Sequence, residues 1–243
     1  MTRQKLSIPV DAEVYFVGPP LEKGPLPTLF YFALSAKDSL SLDPFNQPVQ
    51  FLKGKPLRIF SITLPSHENN RPPEKAVDAW ADRMAQGEKV IPPFIEKVKA
   101  VITHLRPHFE KGTCDVMGLS RGAFIACHVA ALCPEVTHIL GYAPLTKLTH
   151  NPRFKNDSLN LIHLVPKLYD RTVRFYIGNH DTKVGTDNAF HFIDALSKEA
   201  NSHRIRSAPI ELIIGPSIGY QGHGTPPEIF RAGAEWIAKG ALS

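Results

Sequence analysis

Serine, aspartate and histidine can together make a nucleophile of an otherwise unreactive hydroxyl, and this chain carries one of each in suggestive surroundings. Ser120 stands in Gly118-Leu119-Ser120-Arg121-Gly122, a Gly-x-Ser-x-Gly pattern. A serine hydroxyl needs a base within hydrogen-bond reach, and that base needs a third group to orient it. His223, between Gly222 and Gly224, is the candidate base. Asp181, in Gly178-Asn179-His180-Asp181, is the candidate acid. Asp187 competes for the role of acid, and His180 and His67 compete for that of base. His104, His108, His138, His191 and His203 fall within or beside regular elements and read as structural or solvated.

Three side chains so far apart in sequence must be gathered by a scaffold. The apolar residues Val116, Met117 and Leu119 read as a buried strand running into Ser120. Ile125, Val129 and Leu132 then mark one face of a helix that ends before Pro134. Strand, sharp turn and helix with serine at the tip is a nucleophile elbow. Side chains at Gly118 and Gly122 would block so tight a turn. The serine hydroxyl then sits at a helix N-terminus, where the dipole favours developing negative charge.

Residues 12–17, 28–34, 57–64, 138–143, 172–177 and 209–214 read as further strands, the first of them at a sheet edge. Val77, Trp80, Ala81 and Met84 mark one helix, and Ile91, Phe94, Ile95, Val98, Ile102 and Leu105 a second. Ala189, Phe192, Ile193 and Leu196 mark a third. A last helix, carrying Ile229, Gly233, Trp236 and Ile237, follows the capping box Thr225-Pro226-Pro227-Glu228. Residues 35–50 read as an irregular loop. Residues 144–170 are mixed, with a short helix around Leu159, Ile162 and Val165. Strands alternating with helices predict an α/β fold with a mainly parallel sheet covered on both faces. In such a sheet, ligands bind at the carboxyl ends of the strands. Asp181 and His223 each follow a strand there.

The 243 residues suffice for one large domain, and no linker or repeat divides them. The net charge of +5 comes from scattered lysines and arginines with no groove-reading motif, so no nucleic-acid partner is expected. No apolar run reaches the length of a membrane span, and the first residues lack the apolar core of a signal peptide, so a cytoplasmic protein is expected. Cys114, Cys127 and Cys133 have no metal-ligand spacing and read as buried free thiols.

The order Ser120, Asp181, His223, each after a successive strand, resembles the α/β-hydrolase family over nearly the whole chain. The Ser-Arg-Gly elbow, with Gly178-Asn179-His180-Asp181 and Gly222-His223-Gly224, looks like its esterase and prolyl-oligopeptidase-like branches, here without room for a propeller. The resemblance implies a single domain over residues 1–243 with a twisted, mostly parallel sheet of about eight strands. Seven are legible, so an early edge strand is short or missed. A small lid, if one is present, falls in residues 144–170. The family pattern assigns one oxyanion-hole N–H to Arg121 and the other to the loop after residues 28–34. There Ala33-Leu34-Ser35 stands where His-Gly-x is usual, which leaves Ser35, then Leu34, as candidates for the second donor.

These features predict a serine hydrolase acting on a carboxylic ester of small-molecule size, through an acyl-enzyme and without metal or organic cofactor. A peptidase, thioesterase or acyltransferase would use the same three residues. A non-catalytic hydrolase-like protein that binds a ligand or a partner is the alternative from another class. Arg71, Arg121, Tyr142 and Tyr220 are candidate substrate contacts, as are Phe45 and Phe154 in an apolar pocket.

Overall fold

The computed structural model describes residues 3–68 and 75–242 of the chain. Arg71 lies outside the described residues. Eight strands form one sheet: β1 Gln4–Leu6, β2 Val14–Val17, β3 Thr28–Phe32, β4 Arg58–Ile62, β5 Cys114–Leu119, β6 Val136–Tyr142, β7 Thr172–Gly178 and β8 Ile210–Gly215. Their order is β1-β2-β4-β3-β5-β6-β7-β8. The pairs β1–β2 and β2–β4 are antiparallel, and every later pair is parallel. The missing edge strand is β1, only three residues long. Residues 12–17 therefore supply not the edge strand but its neighbour β2.

Strands β3 and β4 are buried along their whole length, as their unbroken apolar runs require of strands covered on both faces. On one face lie α3 Ala76–Ala85, α4 Ile91–Leu105, α5 Arg121–Leu132, α6 Val165–Leu168 and α7 Thr186–Ser202. Trp80, Phe94, Phe124, Phe175 and Phe192 belong to the core on this side. On the other face, α1 Ala36–Ser41, α2 Gln47–Phe51 and α8 Pro227–Ala241 pack Leu40, Val49, Phe230 and Ile237 against Tyr31, Tyr142 and Tyr176.

Two sequence expectations are corrected here. Residues 35–50 hold two short helices rather than an irregular loop. Ser35 caps α1, its hydroxyl accepting from the Asp38 amide. The box predicted from Thr225 and Glu228 does not form: α8 begins at Pro227, with Pro226 at its N-cap and no side-chain cap bond. Pro226 has no side-chain oxygen to accept an amide of the first turn, and the Ile229 amide donates instead to the Pro226 carbonyl at 3.0 Å.

Residues 144–170 lie largely against the core. Leu145, Leu148, Phe154, Leu161, Val165 and Leu168 are buried in it. The three cysteines are buried and free, and burial pushes the thiols of Cys114, Cys127 and Cys133 up, which disfavours their thiolates. Among the described residues, no helix is long and apolar enough to cross a membrane.

Candidate active site

β5 runs between β3 and β6 at the middle of the sheet and turns at Ser120 directly into α5. Ser120 has φ 56° and ψ −117°, a conformation costly for any residue with a side chain. Its surroundings over-determine it. The Ser120 amide donates to the Tyr142 carbonyl at 2.8 Å, and its own carbonyl accepts from Leu145 at 3.2 Å. The flanking glycines let the backbone close up. A Cβ on Gly118 would lie 2.2 Å from the Gly122 carbonyl carbon, and one on Gly122 would lie 1.8 Å from the Phe32 carbonyl oxygen.

β7 delivers Asp181 and β8 delivers His223. His223 Nδ1 is 2.7 Å from Asp181 Oδ2, and its Nε2 is 2.8 Å from Ser120 Oγ. A carboxylate can only accept, so Nδ1 carries the proton and Nε2 accepts from the serine hydroxyl. Asp181 is 2 % exposed, and its Oδ1 accepts the amides of Lys183 and Val184. The two turns are themselves joined, since the Thr182 amide donates to the Gln221 carbonyl at 2.9 Å. This arrangement can raise the nucleophilicity of a hydroxyl by drawing its proton toward a base held in one tautomer.

A cavity of about 500 Å³ opens over these groups. Leu34, Leu42 and Phe45 form an apolar wall, and Ser120, His223 and Lys183 provide polar lining. Phe45, an expected pocket residue, lines this cavity. Leu42 and Lys183 were not singled out, because neither carries a motif and only the tertiary fold brings them here. None of the lining residues belongs to 144–170.

The competing residues lie elsewhere. Asp187 is exposed in the first turn of α7, and His180 is exposed at the surface. His67 is buried and bonded through Nε2 to the Arg121 guanidinium. Burial, and then the charge of Arg121, lowers its pKa to about 3. Arg121 is itself buried, and desolvation lowers its pKa to about 10.

The proposed substrate contacts need correction. Tyr142 is fully buried, donating to the Phe230 carbonyl at 2.9 Å and stacked on Tyr176, so it is core. Phe154 is core as well. Tyr220 is 83 % exposed and does not line the cavity, while the Arg121 side chain is turned to His67. Of the candidate oxyanion donors, Arg121 is the first residue of α5 and lines the cavity. Leu34 lines it too, but its amide donates to Ser39 Oγ at 2.9 Å. Ser35 lies next in the chain, at the cap of α1. Among the described residues, no group of three His, Cys, Asp or Glu side chains could hold a metal ion.

Solved structures superpose on nearly the whole chain. A Thermus thermophilus protein superposes with a TM-score of 0.72 at 14% identity, covering 100% of both chains. The chain has the α/β-hydrolase fold. A cold-adapted esterase from an Arctic intertidal metagenomic library gives a TM-score of 0.70 at 14% identity, covering 98% of this chain and 93% of that one. An esterase of Pyrococcus furiosus gives 0.66 at 12% identity, covering 99% and 91%. No protein-family model matches the sequence, and no curated protein matches it. At these identities, the likeness to other α/β-hydrolase structures concerns the fold, and function must be argued from the site.

Proposed function

We propose that the protein is a serine hydrolase that cleaves a carboxylic ester of small-molecule size through an acyl-enzyme. The observation that carries this reading is the unbroken relay from Ser120 Oγ through His223 to the buried Asp181, at the floor of a cavity. Esterases among the structural neighbours support it.

In this reading, Ser120 Oγ attacks the ester carbonyl carbon while His223 Nε2 takes the hydroxyl proton. Asp181 holds the resulting imidazolium, and the carbonyl oxygen becomes an oxyanion. The Arg121 amide stabilises that charge, a single such donor being worth about 10²- to 10³-fold in rate. The second donor comes from the turn Ala33-Leu34-Ser35. If it is Leu34, its N–H must exchange Ser39 Oγ for the oxyanion as the substrate seats. The tetrahedral species then expels the alcohol, which receives the proton from His223. Water, deprotonated by the same nitrogen, releases the acid and restores Ser120.

A non-catalytic ligand-binding protein is the second reading, favoured by that commitment of the Leu34 amide. Peptidase, thioesterase and acyltransferase activities use the same relay and differ in pocket shape. Turnover of p-nitrophenyl esters from acetate to laurate, beside an anilide and a thioester series, separates esterase, peptidase and thioesterase activities. The proposal expects ester turnover by the intact protein and its collapse in Ser120→Ala and His223→Ala. Absence of any turnover contradicts it.

A further inference from the structure

The charge on the cavity wall carries a substrate preference. Lys183 lines the cavity and is exposed to solvent. Its backbone is fixed in the catalytic frame, because its amide donates to Asp181 Oδ1 at 3.0 Å and the neighbouring Thr182 is bonded to Gln221. Its ammonium has no ion-pair partner among the described residues. No acidic side chain lines the cavity among those residues either. The carboxylate nearest in sequence, Asp181, is buried behind His223 and committed to it.

A cleft with low-dielectric walls and charge of one sign concentrates ligands of the opposite sign. The apolar wall of Leu42 and Phe45 suits the body of a substrate, and Lys183 suits an anionic group on it. We propose that this site prefers esters that carry a negative charge, a carboxylate above all, and that Lys183 reads that charge. The inference rests on the serine-hydrolase reading of the same cavity and adds the substrate class to it.

Two matched pairs of esters test it. For charge on the acyl side, the mono-p-nitrophenyl ester of adipic acid is compared with p-nitrophenyl hexanoate. For charge on the alcohol side, 4-acetoxybenzoate is compared with its methyl ester. The readout is the ratio of kcat/KM within each pair, measured in the intact protein and in Lys183→Gln, Lys183→Arg and Lys183→Glu. Comparing ratios between variants cancels intrinsic differences in ester reactivity.

Loss of one solvent-facing ion pair should lower the ratio for at least one pair by about 2- to 5-fold in Lys183→Gln. Lys183→Arg should retain it and Lys183→Glu should lower it further. Salt at several hundred millimolar should shrink the preference in the intact protein. The responding pair tells whether the charge belongs to the acid or the alcohol. A ratio unchanged by all three substitutions in both pairs overturns the inference while leaving the hydrolase reading in place. No turnover of any of the four esters overturns both.

Discussion

Asp181 and His223 are joined across 42 positions of sequence by a 2.7 Å bond between Oδ2 and Nδ1, and the same carboxylate holds the turn that carries it. Its other oxygen accepts the amides of Lys183 and Val184. Orientation of the imidazole and closure of the turn after β7 therefore depend on one buried group.

That double use separates two variants. Asp181→Asn keeps the size of the side chain and an oxygen for the turn, but its amide group can no longer hold Nδ1–H and leave Nε2 as the acceptor. Ester kcat should fall by about 10³- to 10⁴-fold while the fold survives, as judged by circular dichroism. Asp187→Asn removes only an exposed charge from the first turn of α7. It should leave kcat within about twofold and lower stability by at most about 1 kcal/mol. The opposite ranking would move the acid to Asp187.

Gly122→Ala probes the elbow through packing rather than chemistry. The added Cβ would lie 1.8 Å from the Phe32 carbonyl oxygen, which β3 holds in the middle of the sheet. Urea unfolding should show a loss of about 3 kcal/mol or more. A loss within about 0.5 kcal/mol would mean that α5 and β3 can move apart.

The candidate site was legible in sequence where its chemistry is local. The glycines around Ser120, and the positions of Asp181 and His223 after strands, follow from turn sterics and from where a parallel sheet leaves its loops. Other features depend on distant partners. Helices α1 and α2 are six and five residues long, too short to hold together without packing, so residues 35–50 carry little helical signal. Tyr142 lies at the end of β6, and only its contact with Phe230 of α8 shows that it faces the core. Arg58 looks like a charge in a strand, yet it is fully buried and donates to the carbonyls of Pro19, Pro20, Gly24 and His108. No local pattern announces such a partner set.

Two histidines should make stability fall on acidification. Burial lowers the pKa of His67 to about 3 and that of His128 to about 4, from an ordinary value of 6.5. Between those values the unfolded chain binds protons that the folded one excludes, so their contribution is complete above about pH 6.5 and is lost as pH falls toward about 4 for His128 and about 3 for His67. From pH 7 to pH 5, roughly 1–2 kcal/mol should be lost for each histidine. His67→Gln keeps an acceptor for Arg121 and does not titrate, so urea midpoints measured across this range should fall less steeply than in the intact protein. An equal slope would contradict a neutral, buried His67.

The most direct test of the central claim is intact-mass analysis after exposure to a fluorophosphonate, which reacts with an activated serine but not with an ordinary one. The account predicts a single adduct that peptide mapping places on Ser120, absent from Ser120→Ala and formed far more slowly in His223→Ala. An unmodified intact protein, or an adduct that persists in Ser120→Ala, would contradict it.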